Sequence, residues 1–301
     1  MWFRNLQIYR LPSGLNITAE RLEEQLGEHV FRGCGSMEMQ SKGWLPPRGD
    51  EWLAYSLHGQ LMFALGVEQK LLPSSVVNQF AEDRIAEFEQ QQGYGPSRKQ
   101  AREIKERVAE ELLPRAFARR RTTFVWIDFA HGWLVIDAAS AAKAEEALDM
   151  LSKSVSDLQF SLLHTELSPA TAMTEWLTTG EAPPGFSIDR DCELRSPVEE
   201  NATVRYVRHV LDAQEICAHI AAGKQPTRLA LTWDDRISFV LTDKMEVKRL
   251  AFLDILKEEA EASAETADEQ FDADFTLMTG ELSRMIPALL AVLGGEQAPS
   301  I

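Results

Sequence analysis

Three segments of this chain have the pattern of β-hairpins, and they constrain its fold more than any other feature. Each places a tryptophan-bearing apolar strand beside a second apolar strand, over Trp52 to Val67, Thr123 to Ala138 and Arg228 to Thr242. Short polar turns at His58-Gly59, His131-Gly132 and Asp234 to Arg236 connect the two strands of each pair. Because a hairpin pairs its strands antiparallel, we expect sheets that are largely antiparallel.

Helical patterns separate these strand pairs, so the expected fold class is α+β, with hairpin-based sheets and packed helices. One helix begins at the N-cap residue Thr18 and ends at Gly27. A second covers Ser140 to Ser154, and a third begins with the capping pattern Asp212 to Glu215 and ends near Gly223.

The C-terminal stretch from Phe271 to Leu293 is apolar again, and Gly294-Gly295 is its stop signal. Pro287 lies inside it and removes a backbone donor, so we expect a kinked or shortened helix. No segment approaches the length of about 20 apolar residues that a bilayer span requires. The N-terminus has no continuous apolar region of the kind that a signal peptide has. These patterns favour a cytoplasmic protein.

The segment from Val76 to Glu111 predicts a helical hairpin. Apolar residues follow helical spacing on both sides of a break at Gly93 to Ser97, namely Val77, Ala81 and Phe88 before it and Ala101, Ile104 and Val108 after it. Ser97 and Gln100 form a capping box for the second helix. Two interpretations stay open: the two stripes pack only on each other, or their remaining apolar face contacts another subunit.

Basic residues concentrate in one part of a chain whose formal net charge is -16. The stretch from Arg98 to Arg121 has nine basic and four acidic residues, and its end, Arg115 to Arg121, surrounds Phe117 with four arginines. Such segregation indicates a surface that attracts a polyanion. The alternative is a solvated helix face that pairs with its own glutamates, as the spacing of Glu103 and Arg107 allows. A pI near 4.9 counts against a generic basic DNA-binding domain.

Motifs for catalysis and cofactors give little signal. The six histidines form no HxH or HExxH pattern, and neither a GxxxxGK[ST] loop nor a GxGxxG turn is present, so we expect no bound metal and no cofactor. Asp272, Asp274 and Glu281 leave open a Mg²⁺ site of the kind that a nuclease uses. Cys34, Cys192 and Cys217 are odd in number and far apart, which favours reduced thiols.

Several segments resemble the bacterial recombination-associated RdgC family and follow that family's order along the chain. These segments are Trp2 to Arg10, Gly33 to Ser36, Gly43 to Pro47, Leu112 to Phe117, Leu229 to Trp233 and Phe271 to Leu282. The resemblance implies a non-enzymatic DNA-binding protein, a ring-shaped homodimer that encircles duplex DNA without reading its sequence. It also implies that the protein restrains the RecA recombinase and lies in the cytoplasm at the nucleoid.

The resemblance divides the chain into a centre (1–75 and 112–174), a protruding helical-hairpin tip (76–111) and a base (175–301), with two tips and two bases closing the ring. It assigns DNA contacts to Phe117 and to a basic position that is either Arg205 or Arg208. With the basic run included, the predicted DNA-binding residues are Arg115, Phe117, Arg119, Arg120, Arg121, Arg205 and Arg208. The predicted dimer contacts are Val77, Phe88 and Ile104 in the tip and Phe275 and Leu277 in the base.

Alternatives remain at this stage. Phe117 could instead be a core residue that anchors the strand after it. The protein could be an adaptor whose basic patch docks an acidic protein, or a metal-dependent nuclease that uses Asp272, Asp274 and Glu281. Double-stranded DNA is the expected ligand, and single-stranded DNA stays open as a further one.

Overall fold

The computed structural model describes residues 1–12, 14–15, 17–198, 202–262 and 264–297, and these residues form an α+β fold with two antiparallel sheets. The larger sheet contains β1 (Gln7–Arg10), β2 (Gln40–Leu45), β3 (Tyr55–Leu57), β4 (Gln60–Leu71), β5 (Phe117–Asp128), β6 (Trp133–Ile136) and β7 (Ser161–Leu162). The smaller sheet contains β8 (Phe186–Arg195), β9 (Thr203–Tyr206), β10 (Gln225–Trp233), β11 (Ile237–Thr242) and β12 (Val247–Phe252). The helices are α1 (Ala19–Gly27), α2 (Ser74–Gln92), α3 (Arg98–Leu112), α4 (Ala141–Ser154), α5 (Pro169–Thr179), α6 (Ala213–Ala221), α7 (Asp254–Ala262) and α8 (Ala267–Val292).

All three predicted hairpins are confirmed, as the antiparallel pairs β3-β4, β5-β6 and β10-β11. Their turns use left-handed backbone, with φ of 51° at His58 and of 49° and 50° at Asp234 and Asp235. Aspartate tolerates this region better than most residues, and two successive positive φ angles suit the right-handed twist of the flanking strands. The predicted N-caps Thr18 and Asp212 are also confirmed, because each side chain accepts a hydrogen bond from its helix's first turn.

The longest strand pairing joins β4 and β5 and has no local signal in the sequence. It runs without a break from Gln60 opposite Asp128 to Leu71 opposite Phe117. β6 pairs with β5 only over residues 125–128, so within the described residues the Phe117 end of β5 is paired on one side, by β4. Helices α2 and α3 are inserted between the paired ends Leu71 and Phe117.

Helices α2 and α3 form the predicted helical hairpin. Gly93 ends α2 in the left-handed region with φ of 76°, and the Ser97–Gln100 capping box begins α3, with the Ser97 amide 2.9 Å from Gln100 Oε1. Val77, Ala81 and Val108 form a small apolar cluster between the two helices. This cluster is the hairpin's own core, and it buries Val77 to 5% exposure.

Two apolar clusters occupy the two faces of the larger sheet. The first includes α1 and α4 and contains Trp44, Phe63 and Val125, all fully buried. The second joins the larger sheet to the smaller sheet and to α8, whose Met278 and Leu282 are fully buried. The proposed centre and base therefore share one core. Their division from the tip stays a prediction, and residues 298–301 of the base lie outside the described part.

Helix α8 continues through Pro287 to Val292, so Pro287 does not shorten it. An interior proline costs about 3 kcal/mol, but the flanking Met285, Ile286 and Leu289 are fully buried and their packing outweighs that cost. By length and composition α8 is apolar enough to cross a membrane, contrary to the expectation from the sequence. Its burial against both sheets accounts for this composition.

Candidate nucleic-acid interface

Phe117 is the first residue of β5, and its side chain is 85% exposed. Its cross-strand partner Leu71 is 50% exposed. The alternative that Phe117 is a core residue is therefore wrong. The two side chains form one exposed apolar pair, and it lies where β4 and β5 meet the helical hairpin.

Strand geometry divides the three consecutive arginines between the two faces of the sheet. Successive side chains of a strand point to opposite faces, so Arg119 and Arg121 share the face of Phe117, whereas Arg120 lies on the other. The ion pair of Arg121 with Glu146 of α4 fits this assignment, because α4 packs on the face of Arg121. The three arginines therefore cannot all contact a ligand on the same face of the sheet.

Two of these arginines are paired with carboxylates within the chain. Arg120 pairs with its cross-strand neighbour Glu68, Nη2 to Oε2 at 3.0 Å, and its guanidinium lies 4.8 Å from the ring centre of Phe31. The pKa of Glu68 is lowered by hydrogen bonds, first from the Cys34 amide and then from Arg120. At Glu146 burial alone raises the pKa, but hydrogen bonds from Lys42 and Arg121 outweigh it and lower the pKa. Both carboxylates therefore stay ionised at neutral pH; Glu68 compensates Arg120, whereas Glu146 is shared between Arg121 and Lys42.

Arg115 and Arg119 keep their charge available. Arg119 lies opposite the neutral Gln69, and Arg115 ends a single 3-10 turn between α3 and β5. Both side chains are exposed, and neither has a carboxylate partner among the described residues. Together with Phe117 they form a compact surface of an apolar side chain between two uncompensated cations.

The second predicted basic group lies on the smaller sheet. Arg205 in the edge strand β9 pairs with the buried Glu193, with Nε to Oε2 at 2.9 Å. Arg208 has a left-handed backbone, φ 51°, fixed by a hydrogen bond from its amide to Asp191 Oδ1 at 2.7 Å. The side chain of Arg208 is exposed and has no carboxylate partner among the described residues. Of the two alternatives, Arg208 is thus the freer cation.

The predicted dimer contacts fall into two groups. Val77 and Phe275 are buried by their own chain, at 5% and 1% exposure, so they offer little surface to a second subunit, and their place at a dimer interface stays a prediction. Apolar residues at helical spacing predict that one face of the helix is buried, but they do not identify the element or subunit that buries it. Phe88, Ile104 and Leu277 are only partly buried, and their role at an interface stays a prediction.

The three carboxylates offered as metal ligands are bound to separate partners. These partners are Arg48 and the Tyr55 hydroxyl for Asp272, the Met1 amino group for Asp274, and Arg236 with Arg284 for Glu281. Among the described residues, no three histidine, cysteine, aspartate or glutamate side chains are grouped to hold a metal ion. The three carboxylates act as structural links of α8 to the rest of the chain.

Two sheets on a shared core, an inserted helical hairpin and a basic strand end with an exposed phenylalanine define an α+β protein with a surface suited to a polyanion. Residues 1–296 match the family described as "Putative exonuclease, RdgC". The chain belongs to this RdgC family. It is 60% identical over 299 residues to the recombination-associated protein RdgC of Dechloromonas aromatica, covering 98% of each chain. The proteins of the same name from Herminiimonas arsenicoxydans and Burkholderia cenocepacia are 56% identical, over 99% of both chains, and 52% identical, over 100% of this chain and 98% of the relative.

Sequence reasoning missed the partners that define this surface. Leu71 was not assigned because β4 and β5 are separated by the whole helical hairpin. Glu68 and Glu146 form the ion pairs with Arg120 and Arg121, and neither glutamate belongs to a recognisable sequence motif. One signal was present: two apolar strands that flank a self-contained helical hairpin have adjacent ends and can pair.

Proposed function

We propose that this protein binds duplex DNA without reading its sequence, as a ring-shaped homodimer that encircles the DNA. In this proposal it restrains the RecA recombinase during homologous recombination, acts without catalysis and lies in the cytoplasm at the nucleoid. Family membership and relatives named as recombination-associated support a role on DNA. The observation that carries the proposal is Phe117, exposed between the uncompensated Arg115 and Arg119.

The chemistry of this surface fits DNA of any sequence. Arginines neutralise phosphates and release counterions, which strengthens binding without sequence information. An exposed phenylalanine can pack on sugars or wedge between base steps, as apolar side chains do in proteins that bind the minor groove. The net charge of -16 repels DNA from the rest of the surface, so DNA is restricted to the basic strand ends.

The proposal is tested by fluorescence anisotropy with two labelled duplexes of unrelated sequence at several salt concentrations. We expect equal affinities for both duplexes and an affinity that falls with salt. No binding at moderate salt would favour the adaptor alternative. The same duplexes incubated with Mg²⁺ should stay full length on a denaturing gel, and release of nucleotides from their ends would contradict the non-catalytic part.

Arg119 should contribute more to DNA binding than Arg121, because Arg121 is held in an ion pair with Glu146, whereas Arg119 has no carboxylate partner among the described residues. Arg119→Ala should flatten the slope of log K against log salt by about 0.9, the value for one lost phosphate contact on duplex DNA. Arg121→Ala, the matched control on the same face, should change the slope by much less. Equal slopes for Arg119→Ala and the parent protein would remove this strand from the interface.

Phe117→Ala should weaken DNA binding about tenfold without destabilising the fold. An apolar side chain against bases or sugars contributes about 1 to 3 kcal/mol, whereas a side chain that is 85% exposed contributes little to folding. The salt slope should stay the same, because no charge is lost. Anisotropy and thermal unfolding measure both quantities, and a variant that loses stability instead of affinity would contradict the contact.

A ring needs two separate dimer contacts, one at the helical hairpin and one elsewhere. Ile104→Glu places a charge on the partly buried face of α3 and should open only the hairpin contact. Light scattering should therefore still show a dimer, but one that no longer holds closed circular DNA in high salt. A well-folded monomer would disprove two independent contacts.

A further inference from the structure

A cleft of about 320 Å³ lies between the smaller sheet and residues Asn5 and Ala139 next to the larger sheet. This volume is at the lower end of the range for small-molecule sites. Its charged lining consists of Arg205, Arg228, Lys248, Arg249, Asp191 and Glu193. Four cations and two carboxylates leave a surplus of two positive charges, and the surplus is unchanged when the adjacent Arg195 and Glu246 are included.

Glu193 organises the cations of this cleft. It is 2% exposed and pairs with three arginines, which are Arg205 at 2.9 Å, Arg195 at 3.6 Å and Arg228 at 3.8 Å. Burial raises the pKa of this carboxyl, but hydrogen bonds from Arg205 and Thr227 outweigh burial and lower it. Each guanidinium has five N–H donors, so one carboxylate leaves most of the donors of Arg205 and Arg228, the two of these arginines that line the cleft, for a ligand.

Two other carboxylates near the cleft, Asp191 and Glu246, are paired with cations. Asp191 accepts a hydrogen bond from the Arg208 amide at 2.7 Å and lies 3.5 Å from Arg249. Glu246 lies 2.7 Å from Lys248. Asp137 also lies next to the lining, and its Oδ1 accepts a hydrogen bond from the Asn5 amide at 2.9 Å. An anion in the cleft therefore approaches the arginines around Glu193 from the side where Asp191 and Glu246 are already paired with cations.

We propose that this cleft binds a phosphate monoester, carried either by a free mononucleotide or by the phosphorylated end of a nucleic-acid strand. A monoester has close to two negative charges at neutral pH, which matches the surplus of the lining. Guanidinium groups pair with phosphate oxygens through two parallel hydrogen bonds. The apolar part of the lining, Tyr206, Val207 and Val240, contacts the nucleoside. The lining does not include Phe117, although it shares Arg205 with the predicted DNA-binding residues.

The first test is calorimetric titration of the full chain with adenosine 5′-monophosphate and with adenosine. We expect binding of the monophosphate only. Arg228→Gln should weaken it tenfold or more, as expected for the loss of a charge-assisted hydrogen bond. Arg190→Gln is the matched control, because Arg190 is an exposed arginine of β8 that does not line the cleft, and it should bind as the parent does. Equal binding of adenosine, or an unchanged Arg228→Gln variant, would overturn the proposal.

Glu193→Gln tests whether Glu193 positions the arginines, because this role and charge alone predict opposite changes in affinity for the monophosphate. The substitution removes one negative charge from the cleft, so charge alone predicts tighter binding of the monophosphate. If Glu193 positions the arginines, binding weakens instead, and tighter binding would overturn that role. Arg228→Gln keeps the site testable if the Glu193 variant does not fold.

The two sources of the phosphate are distinguished with oligonucleotides that have a 5′-phosphate or a 5′-hydroxyl. If the protein binds the 5′-phosphorylated oligonucleotide more tightly and Arg228→Gln removes this preference, strand ends are the source. If both oligonucleotides bind equally and the monophosphate still binds, a free nucleotide is the source. Indifference without monophosphate binding refutes the site. Duplex binding that depends on Phe117 should persist in Arg228→Gln, so failure of this site does not touch the proposed function.

Discussion

A homodimer crosslinked across its helical hairpins after loading should remain on a closed circular plasmid in 1 M salt and leave it once the plasmid is linearised. The crosslink uses Tyr94→Cys at the exposed turn of the hairpin, with Cys34 and Cys217 changed to serine. Cys192 can stay, because burial raises the pKa of its thiol to about 12 and it is unreactive. In about 1 M salt the screening length is roughly 3 Å, so charge no longer retains the protein and only topology does.

The same variant under reducing conditions is the control, and it should leave circles and linear DNA alike. Co-sedimentation before and after a single restriction cut measures retention, and a non-reducing gel confirms the crosslink. Release of the crosslinked dimer from both DNA forms at one rate would show that the protein binds in a groove and does not encircle DNA. Salt-sensitive DNA binding would survive that result.

A closed ring would also account for the contrast between an acidic chain and a basic strand end. Only the inner wall of a ring has to attract phosphates, and a negative exterior discourages DNA from binding outside the hole. The pairing of Arg120 and Arg121 with Glu68 and Glu146 limits the attraction further. Weak phosphate attraction combined with topological retention would let the protein slide along DNA without dissociating.

Local features of the fold could be predicted from the sequence, and distant pairings could not. The hairpin turns and the Ser97–Gln100 capping box each depend on only a few consecutive residues. The pairing of β4 with β5 crosses the whole helical hairpin, and nothing within either strand identifies the partner. The uninterrupted helix around Pro287 likewise depends on packing against two sheets, which local propensity does not contain.

The candidate site was predictable by residue type but not by geometry. The basic run pointed to Phe117 and to four arginines around it, but the strand places Arg120 on the opposite face, and the role of this group in binding stays a prediction. Which arginine is uncompensated depends on Glu68 and Glu146, which lie far away in the sequence. In the same way, Glu193 carries no motif, because the arginines around it come from separate strands.

The carboxylates of α8 also pair with residues that are distant in the sequence. The contribution of such pairs to stability can be tested at Glu281. Glu281 is 3% exposed and bound by Arg236, Nη2 to Oε1 at 2.9 Å, and by Arg284. Glu281→Ala should lower the free energy of unfolding by about 3 kcal/mol, the low end for a broken buried pair, because both arginines still reach water. Urea unfolding at fixed protein concentration measures it.

Glu265→Ala, which removes an exposed carboxylate just before α8, is the matched control and should cost less than about 0.5 kcal/mol. The double variant Glu281→Met with Arg236→Met should regain part of the loss, since apolar replacement of this pair removes the cost of desolvating its two charges, while Arg284 reaches water. A metal-ligand role predicts the opposite pattern. In that case Glu281→Ala would unfold at the parent's urea concentration or a higher one, because removing a ligand relieves repulsion among carboxylates, and a Mg²⁺-dependent cleavage of DNA would be lost.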